Sequence, residues 1–477
     1  MMKKLCLLLL SVCCFLFLLT ACGNACEHRD ADDDSLCDHC GENYSDATDV
    51  TAPPVCQHRD ADDNALCDTC GEAHSDGIDV LPQVHDHTYD AENTCTTCGH
   101  YKDSGVKFVM QVRSYAINDY TGNAEEVIIP STYRGMPVTA LKTQAFYQNE
   151  TLKSISIPST VTSISDYVLT SCSALESITV ADGNRVYHSE GNCLIETATR
   201  TLVRGCNKSV IPTDGSVIAI GENAFDGCKG LESLVIPDCV RHIGSGAFSG
   251  CENLKTVNIP EGISRIEFFT FSGCRSLTAV TLPKSLTGIG DWAFAFCWSL
   301  TAIVIPASVT SISCAPFSDC NALGRIVVEP GNAVYHSAGD CLIDTVKRTV
   351  IAGCKNSEIP TDGSVTAIGK EAFYGCDGLL SITIPATVTS IGDGAFGHCT
   401  ELRSVTIPAN VVYIGWNAFS YCQKLTAVTF VKTSGWYISE RKNATNGRDI
   451  EEKKMKDTVW VADYLTDYYS DYYWHRS

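Results

Sequence analysis

The feature that most constrains this chain is a period. Cysteine recurs every 23 residues at Cys228, Cys251, Cys274, Cys297 and Cys320, and again at Cys376, Cys399 and Cys422. Phenylalanine stands three residues ahead of it, at Phe146, Phe225, Phe248, Phe271, Phe294, Phe317, Phe373, Phe396 and Phe419, with Leu169 in one copy. Around them runs the unit L-x-x-[I/V]-x-[I/V]-P-x-x-V-x-x-I-G-x-x-A-F-x-x-C-x-x. A sustained period in the twenties argues against ordinary globules. One unit cannot bury its apolar face alone, so copies must stack into a solenoid.

The letters predict one coil. In Leu254–Pro260 the apolar residues Val257 and Ile259 alternate, which makes a strand with one face inward. Pro260 has no N–H and closes it. Ile263 and Ile266 enter the core from the far side, and Phe271 and Cys274 fill the turn back. The recurring cysteine reads as a small buried residue whose thiol packs or donates weakly. Asn149 holds the same slot in an early copy.

Two gaps break the period. Cys172 to Cys228 and Cys320 to Cys376 each span 56 residues, one period plus 33. Both hold the same insert, at about residues 181–215 and 329–363, with Asn184, Tyr187, His188, Cys193 and Cys206 matched by Asn332, Tyr335, His336, Cys341 and Cys354. The 148-residue offset marks a duplicated multi-coil block. The insert reads as a hairpin laid beside the array, with His188 and His336 structural. Whether Cys193–Cys206 and Cys341–Cys354 are bonded stays open, since sequence cannot test Cα separation.

The chain ahead of the array has a different chemistry. Residues 23–104 carry 20 acidic against three basic residues, so most of the net charge of -21 sits there. That balance argues against nucleic-acid binding, which needs a basic surface. A 30-residue unit recurs: Cys26, His28, Cys37 and Cys40, then Cys56, His58, Cys67 and Cys70, then His85, His87, Cys95 and Cys98. Each copy offers four soft ligands, and the C-x2-C knuckle closed by Gly is half of a structural zinc site. Three cysteines in each of the first two copies cannot pair internally, and a Cys-to-His swap preserves a zinc site while destroying a disulfide. Structural zinc is the preferred reading, with disulfides an alternative. Calcium is another, since Asp30, Asp32 and Asp34, and Asp60, Asp62 and Asn64, copy the opening of a calcium loop without its Gly or twelfth-position Glu. The segments between modules read as links.

Residues 1–21 read as an export signal, with Lys3 and Lys4 ahead of the apolar run Leu5–Leu19. Leu19-Thr20-Ala21-Cys22 resembles the lipobox of bacterial lipoproteins. The resemblance implies a lipid on Cys22 and a membrane-anchored position outside the cytoplasm. Residues 22–104 are then an acidic stalk, 105–430 the solenoid, and 431–477 a C-terminal cap. The aromatic tail of that cap has a second reading as a sugar platform.

The array itself, in Ile368-Gly369 through Pro385, resembles the BspA-like leucine-rich repeats of bacterial surface proteins. Residues 108–146 look like that family's opening hairpin and first coil. The resemblance implies a leucine-rich repeat solenoid with an extended binding surface and a role in adhesion or host interaction. The outward strand positions are the candidate face: Ser156, Thr179, Asn258, Thr281, Thr383, Thr406 and Thr429, with Val235, Val304 and Val327 between them. Such a small, weakly charged surface suits an extracellular protein or glycan ligand. No nucleophile–base motif or phosphate loop stands out, so the chain reads as a binding protein and not an enzyme. The alternatives are a zinc-binding protein acting through the modules, or a wall-associated spacer. If the modules are zinc sites, elemental analysis of the reduced chain should find one zinc per module, and chelation should release it; a zinc-free chain rejects the reading.

Overall fold

The computed structural model describes Asp90, residues 105–468 and residues 470–476. Cys22, all the metal-ligand candidates from Cys26 to Cys98 and the acidic calcium-like triplets lie outside the described residues.

The array is a β-solenoid whose coils stack on three sides. The first side is built from the L-x-x-[I/V]-x-[I/V] strands, which pair parallel with their copies one period away. Ser154–Ile157 pairs with Ser177–Val180, Ala302–Ile305 with Arg325–Val328, and Ser404–Ile407 with both Ser381–Thr383 and Ala427–Phe430. The second side is a row of two-residue strands around the far-side isoleucine, such as Arg265–Ile266, Gly288–Ile289 and Ser311–Ile312. The third is a turn side, where main-chain bonds join successive coils: Gly246 N to Phe268 O at 2.8 Å, Phe248 N to Thr270 O at 2.8 Å, Gly250 N to Ser272 O at 2.7 Å. The turn is made possible by positive φ two residues before and two after the buried Phe, as at Gly246 (62°) and Gly250 (66°). Glycine adopts that region without steric penalty.

The expected core forms. Val257, Ile259, Ile263, Ile266, Phe271 and Cys274 are all buried. The phenylalanines stack, with ring centroids 5.2 Å apart for Phe225–Phe248, 5.3 Å for Phe248–Phe271 and 5.4 Å for Phe271–Phe294, near parallel in each case. The cysteine has a definite role beside them. Its thiol donates to the Phe carbonyl of the preceding coil: Cys251 to Phe225 (3.2 Å), Cys274 to Phe248 (3.3 Å), Cys297 to Phe271 (3.2 Å), Cys422 to Phe396 (3.0 Å). The same carbonyl also accepts the N–H of its own coil's Cys, as in Cys251 N to Phe248 O at 3.2 Å. Burial pushes the Cys422 thiol up to about 12, so it keeps the proton it donates.

The inserts correct one expectation. They do not lie beside the array; they are part of its second side. In the first, Tyr187–Glu190 and Cys193–Glu196 form the expected hairpin, but a third strand, Thr201–Arg204, pairs antiparallel with the latter and parallel with Ala219–Ile220 of the next coil. The second insert repeats this with Thr349–Ala352 against Ala367–Ile368. The reason is that an insert must present a strand edge to the coil above it, or that coil's N–H groups lose their partners. Gly205 and Gly353 sit under the next phenylalanine, where an added Cβ would overlap the Phe225 or Phe373 ring. At the other edge, Asn184 Nδ2 donates to Pro158 O and Val161 O (3.1 and 2.8 Å), and Tyr187 Oη accepts Ile164 N (3.1 Å). Asn332 and Tyr335 do the same one block later. Cys193, Cys206, Cys341 and Cys354 are all free and buried, and the two members of each pair face different core clusters. His188 and His336 are structural: each Nδ1 meets a threonine hydroxyl at 2.8 Å, Thr197 or Thr345.

Residues 431–476 close the final coil. Tyr473–Arg476 runs antiparallel to Tyr413–Ile414 and to Trp436–Ser439, which ends the parallel ladder and covers its edge. Trp436 and Trp474 are buried with Phe430, Met455 and Val461, while Tyr464, Tyr472 and Tyr473 are half-buried. The two tail tryptophans thus serve the core and present no stacking face.

Because stability in a stacked array is carried by neighbouring coils, Phe271→Ala should cost about 3–5 kcal/mol. Amide exchange should accelerate first in the coils around Phe248 and Phe294; a change confined to the mutated turn contradicts the ring stack as the main inter-coil contact.

Candidate binding surfaces

The first-side strands build the expected face. Ser156 pairs in register with Thr179, Val304 with Val327, and Thr406 with both Thr383 and Thr429. Thr179, Val235, Thr281, Val304, Thr383, Thr406 and Thr429 are exposed, and Ser156 and Val327 are half-buried. The row two residues earlier is Glu126, Ser154, Ser177, Ser233, Thr256, Ala279, Ala302, Arg325, Ser381, Ser404 and Ala427, with Glu126 and Arg325 its two charges. Lysines nearby are engaged with glutamates of adjoining coils, as in Lys255–Glu232 (2.7 Å) and Lys424–Glu401 (2.6 Å). Such exposed pairs add little stability, but they neutralise charge along the rim. The result is a hydroxyl-rich, weakly charged strip. Asn258 is also exposed and pairs in register with Thr281. Its side chain reaches along the sheet, accepting from Ile236 N at 2.9 Å and donating to Ile236 O at 2.8 Å, so its amide stitches two coils while the residue stays exposed.

The turn side carries a feature that the sequence reading missed. Phe269 and Trp292 hold the left-handed position before the buried Phe, and Phe296, His398 and Tyr421 hold the one after, with φ between 55° and 58°. A bulky residue there costs roughly 1–2 kcal/mol relative to glycine. The side chains line up in a ribbon. Trp292 is 5.9 Å from Tyr374, Tyr374 is 4.9 Å from His398, and His398 is 4.6 Å from Tyr421. Phe268 and Tyr421 are exposed. Burial lowers the His398 pKa, which favours the neutral ring. The signal was present as non-glycine aromatics in glycine-type positions, but it varies in letter from copy to copy.

One acidic group stands out where the second insert joins the array. Asp319 N donates to Tyr374 O at 3.2 Å, and its carboxyl Oδ2 is buried without a partner in the chain. Burial first, and the nearby Asp377 second, push this carboxyl from the ordinary 3.8 up to about 7. Asn321 Nδ2 donates to Asp377 Oδ2 at 3.1 Å, leaving Asn321 Oδ1 and Ser318 Oγ also unpartnered. Among the described residues no group of three or more His, Cys, Asp or Glu is arranged to hold a metal ion, and no helix is long and apolar enough to cross a membrane.

Coils of this register and composition define a leucine-rich repeat solenoid. The profile of the BspA type leucine rich repeat region matches residues 111–194, 202–324 and 344–451 in six copies, and the chain belongs to that family. Among solved structures, it is similar to a leucine rich cell surface protein from Faecalibacterium prausnitzii A2-165, with 30% identity over 69% of this chain and 88% of that one, at a TM-score of 0.44. It is also similar to a leucine-rich repeat protein from Bacteroides ovatus ATCC 8483, with 24% identity, 68% and 93% coverage and a TM-score of 0.35. The pneumococcal vaccine antigen PcpA shares 17% identity over 70% of this chain and 81% of that one, at a TM-score of 0.36. No curated protein matches the chain.

The raised Asp319 carboxyl has a pH consequence. Its folded pKa lies above the unfolded value, so its contribution to stability is full below about pH 4 and is lost as the pH rises toward about 7. Asp319→Asn should therefore match the parent near pH 4 and melt a few degrees higher near pH 8. A difference that is constant with pH contradicts the assignment.

Proposed function

We propose that this chain is a bacterial surface binding protein, held at the membrane by lipid on Cys22 and presenting its array to an extracellular protein or glycan in adhesion or host interaction. The single observation that carries the reading is the first-side strip. In-register pairing repeats one outward position within each stack of coils, Ser156 with Thr179, Asn258 with Thr281, Val304 with Val327, and Thr406 with both Thr383 and Thr429, with no charge on it. A ligand laid across the coils meets hydroxyls at Ser156, Thr179, Thr281, Thr383, Thr406 and Thr429, with Val235, Val304 and Val327 between them, spaced about 4.8 Å within each paired set, so many weak contacts add along one axis. Membership in the BspA-type family and the surface location of the Faecalibacterium protein agree with this reading. In this proposal the Cys/His modules from Cys26 to Cys98 are zinc-stapled spacers that hold the array away from the membrane.

Retention of matrix proteins and glycans on the immobilised chain, with and without chelator, tests the proposal. Binding should survive metal removal. Replacing Thr383, Thr406 and Thr429 with Arg should lower retention at least tenfold while leaving the melting midpoint nearly unchanged. Absence of any retained ligand, or retention indifferent to those three changes, rejects the strip as the binding surface.

A further inference from the structure

The turn side in the second half of the array carries two properties that a folded core does not require. The first is exposed aromatic surface. Phe268 and Trp416 are 44% exposed, Trp298 43% and Tyr421 62%. Ring meets ring from Phe268 through Phe269, Trp292, Tyr374 and His398 to Tyr421. A contiguous apolar band of this kind on a protein surface marks a place where something docks. Tyr421 also holds its ring at a left-handed φ of 57°, a position that glycine takes in sibling coils, as at Gly250 and Gly273. The turn itself would be better served by glycine.

The second property is the sign of the charge. The cations around this face are already held: Arg275 by Glu252 at 3.0 Å, Lys370 by Glu371 at 3.4 Å and Lys442 by Asp393 at 3.0 Å. Among the described residues, Asp291 and Asp377 meet only neutral donors. Asp291 Oδ1 accepts Cys314 N at 2.6 Å, and Asp377 accepts Asn321 Nδ2 at 3.1 Å and Thr400 Oγ1 at 2.8 Å. Both are half-buried and reach solvent. Asp291 adjoins Trp292 in the chain, and Asp377 lies close enough to His398 to oppose the burial that lowers its pKa. The face therefore combines rings with uncompensated carboxylates. The chain shows once how the two work together. Arg275 binds Glu252 while its guanidinium carbon lies 4.3 Å from the centre of the Trp298 ring, so one carboxylate and one indole hold one arginine.

We propose that the turn side between Phe268 and Tyr421 docks a basic polypeptide segment, its arginine and lysine side chains lying against the exposed rings and beside Asp291 and Asp377. This surface is separate from the first-side strip and does not depend on it. Charge decides among the occupants. An anionic polysaccharide, a nucleic acid or the chain's own residues 23–104, with 20 acidic against three basic residues, would meet like charge here. A neutral glycan would cover the rings and leave both aspartates uncompensated. A cationic side chain gains from ring and carboxylate at once. Arginine should do so better than lysine, because a planar guanidinium also stacks.

The probe is a short peptide of alternating arginine and glycine, titrated against the full chain, with its lysine and glutamate counterparts and neutral dextran as comparisons. Tryptophan emission is the readout. It reports the array alone, because residues 23–104 contain no tryptophan and peptide held on them is silent. Emission should change and saturate with the arginine peptide, demand more of the lysine peptide, and ignore glutamate peptide and dextran. The half-saturating concentration should rise with added salt. Asp291→Asn combined with Asp377→Asn should raise it roughly fivefold or more. Should that pair fail to fold, Tyr421→Gly combined with Phe268→Ser carries the same expectation, since Tyr421→Gly suits the left-handed backbone and Phe268 is exposed. A response equal for dextran or the glutamate peptide, a response unchanged in both pairs of variants, or no response overturns the proposal. The Thr383, Thr406 and Thr429 variants should bind the arginine peptide as the parent does, so failure of the strip and failure of the turn side are separable.

Discussion

Within each uninterrupted run of coils, the buried phenylalanine carbonyl takes donors from its own coil and the next, as at Phe225, Phe248, Phe271 and Phe396. Phe248 O accepts the amide of Cys251 from its own turn and the thiol of Cys274 from the next. That shared acceptor locks the register between coils, because a slip of one residue would remove the thiol and unstack the ring beside it. With register locked, a position that points outward in one coil points outward in all. The strip from Ser156 to Thr429 and the ribbon from Phe269 to Tyr421 both inherit their alignment from this buried contact. Cysteine suits the slot because it is small, apolar and still able to donate, and burial keeps it protonated.

The inserts show how an array tolerates interruption. A gap in a ladder leaves N–H groups without partners, and side chains replace what the backbone cannot reach. Asn184 and Tyr187, and again Asn332 and Tyr335, supply hydrogen bonds at one edge of each insert, while a third strand supplies them at the other. These edge residues are identical between the two copies. The turn side of the junctions is not held so tightly. Arg204 has become Ala352, Asp226 has become Tyr374 and Ser171 has become Asp319. The contacts at the ladder edge have the same letters in both copies, and those on the turn side differ, the buried Arg204 among them.

This division also explains what could be read in the letters. The coil, its core and its outward row were legible because they repeat, and every copy votes for the same assignment. Phe271, Cys274 and Ile266 needed no structure to be placed inside. The strand Thr201–Arg204 was harder, since its membership of the main sheet depends on a pairing with Ala219–Ile220 that nothing local announces. Asn258 takes its place in the outward row, and what the letters did not announce is that its primary amide also bonds a neighbouring coil's backbone in both directions. The aromatic ribbon was hidden by variety, for Phe, Trp, Tyr and His share its positions. The environment of Asp319 was invisible because it comes from burial and from Asp377, brought near from the far side of the insert.

The turn side crosses ordinary coil boundaries on several main-chain hydrogen bonds, as at Gly246, Phe248 and Gly250, but spans each insert on one, from Ser171 to Asp226 and from Asp319 to Tyr374. A load drawn along the stack is therefore borne unevenly. On this side the ordinary boundaries resist as parallel bundles of bonds, and the two junctions rest on few. What the turn side loses there the second side makes up, since the strand ladder runs on through each insert into the next coil.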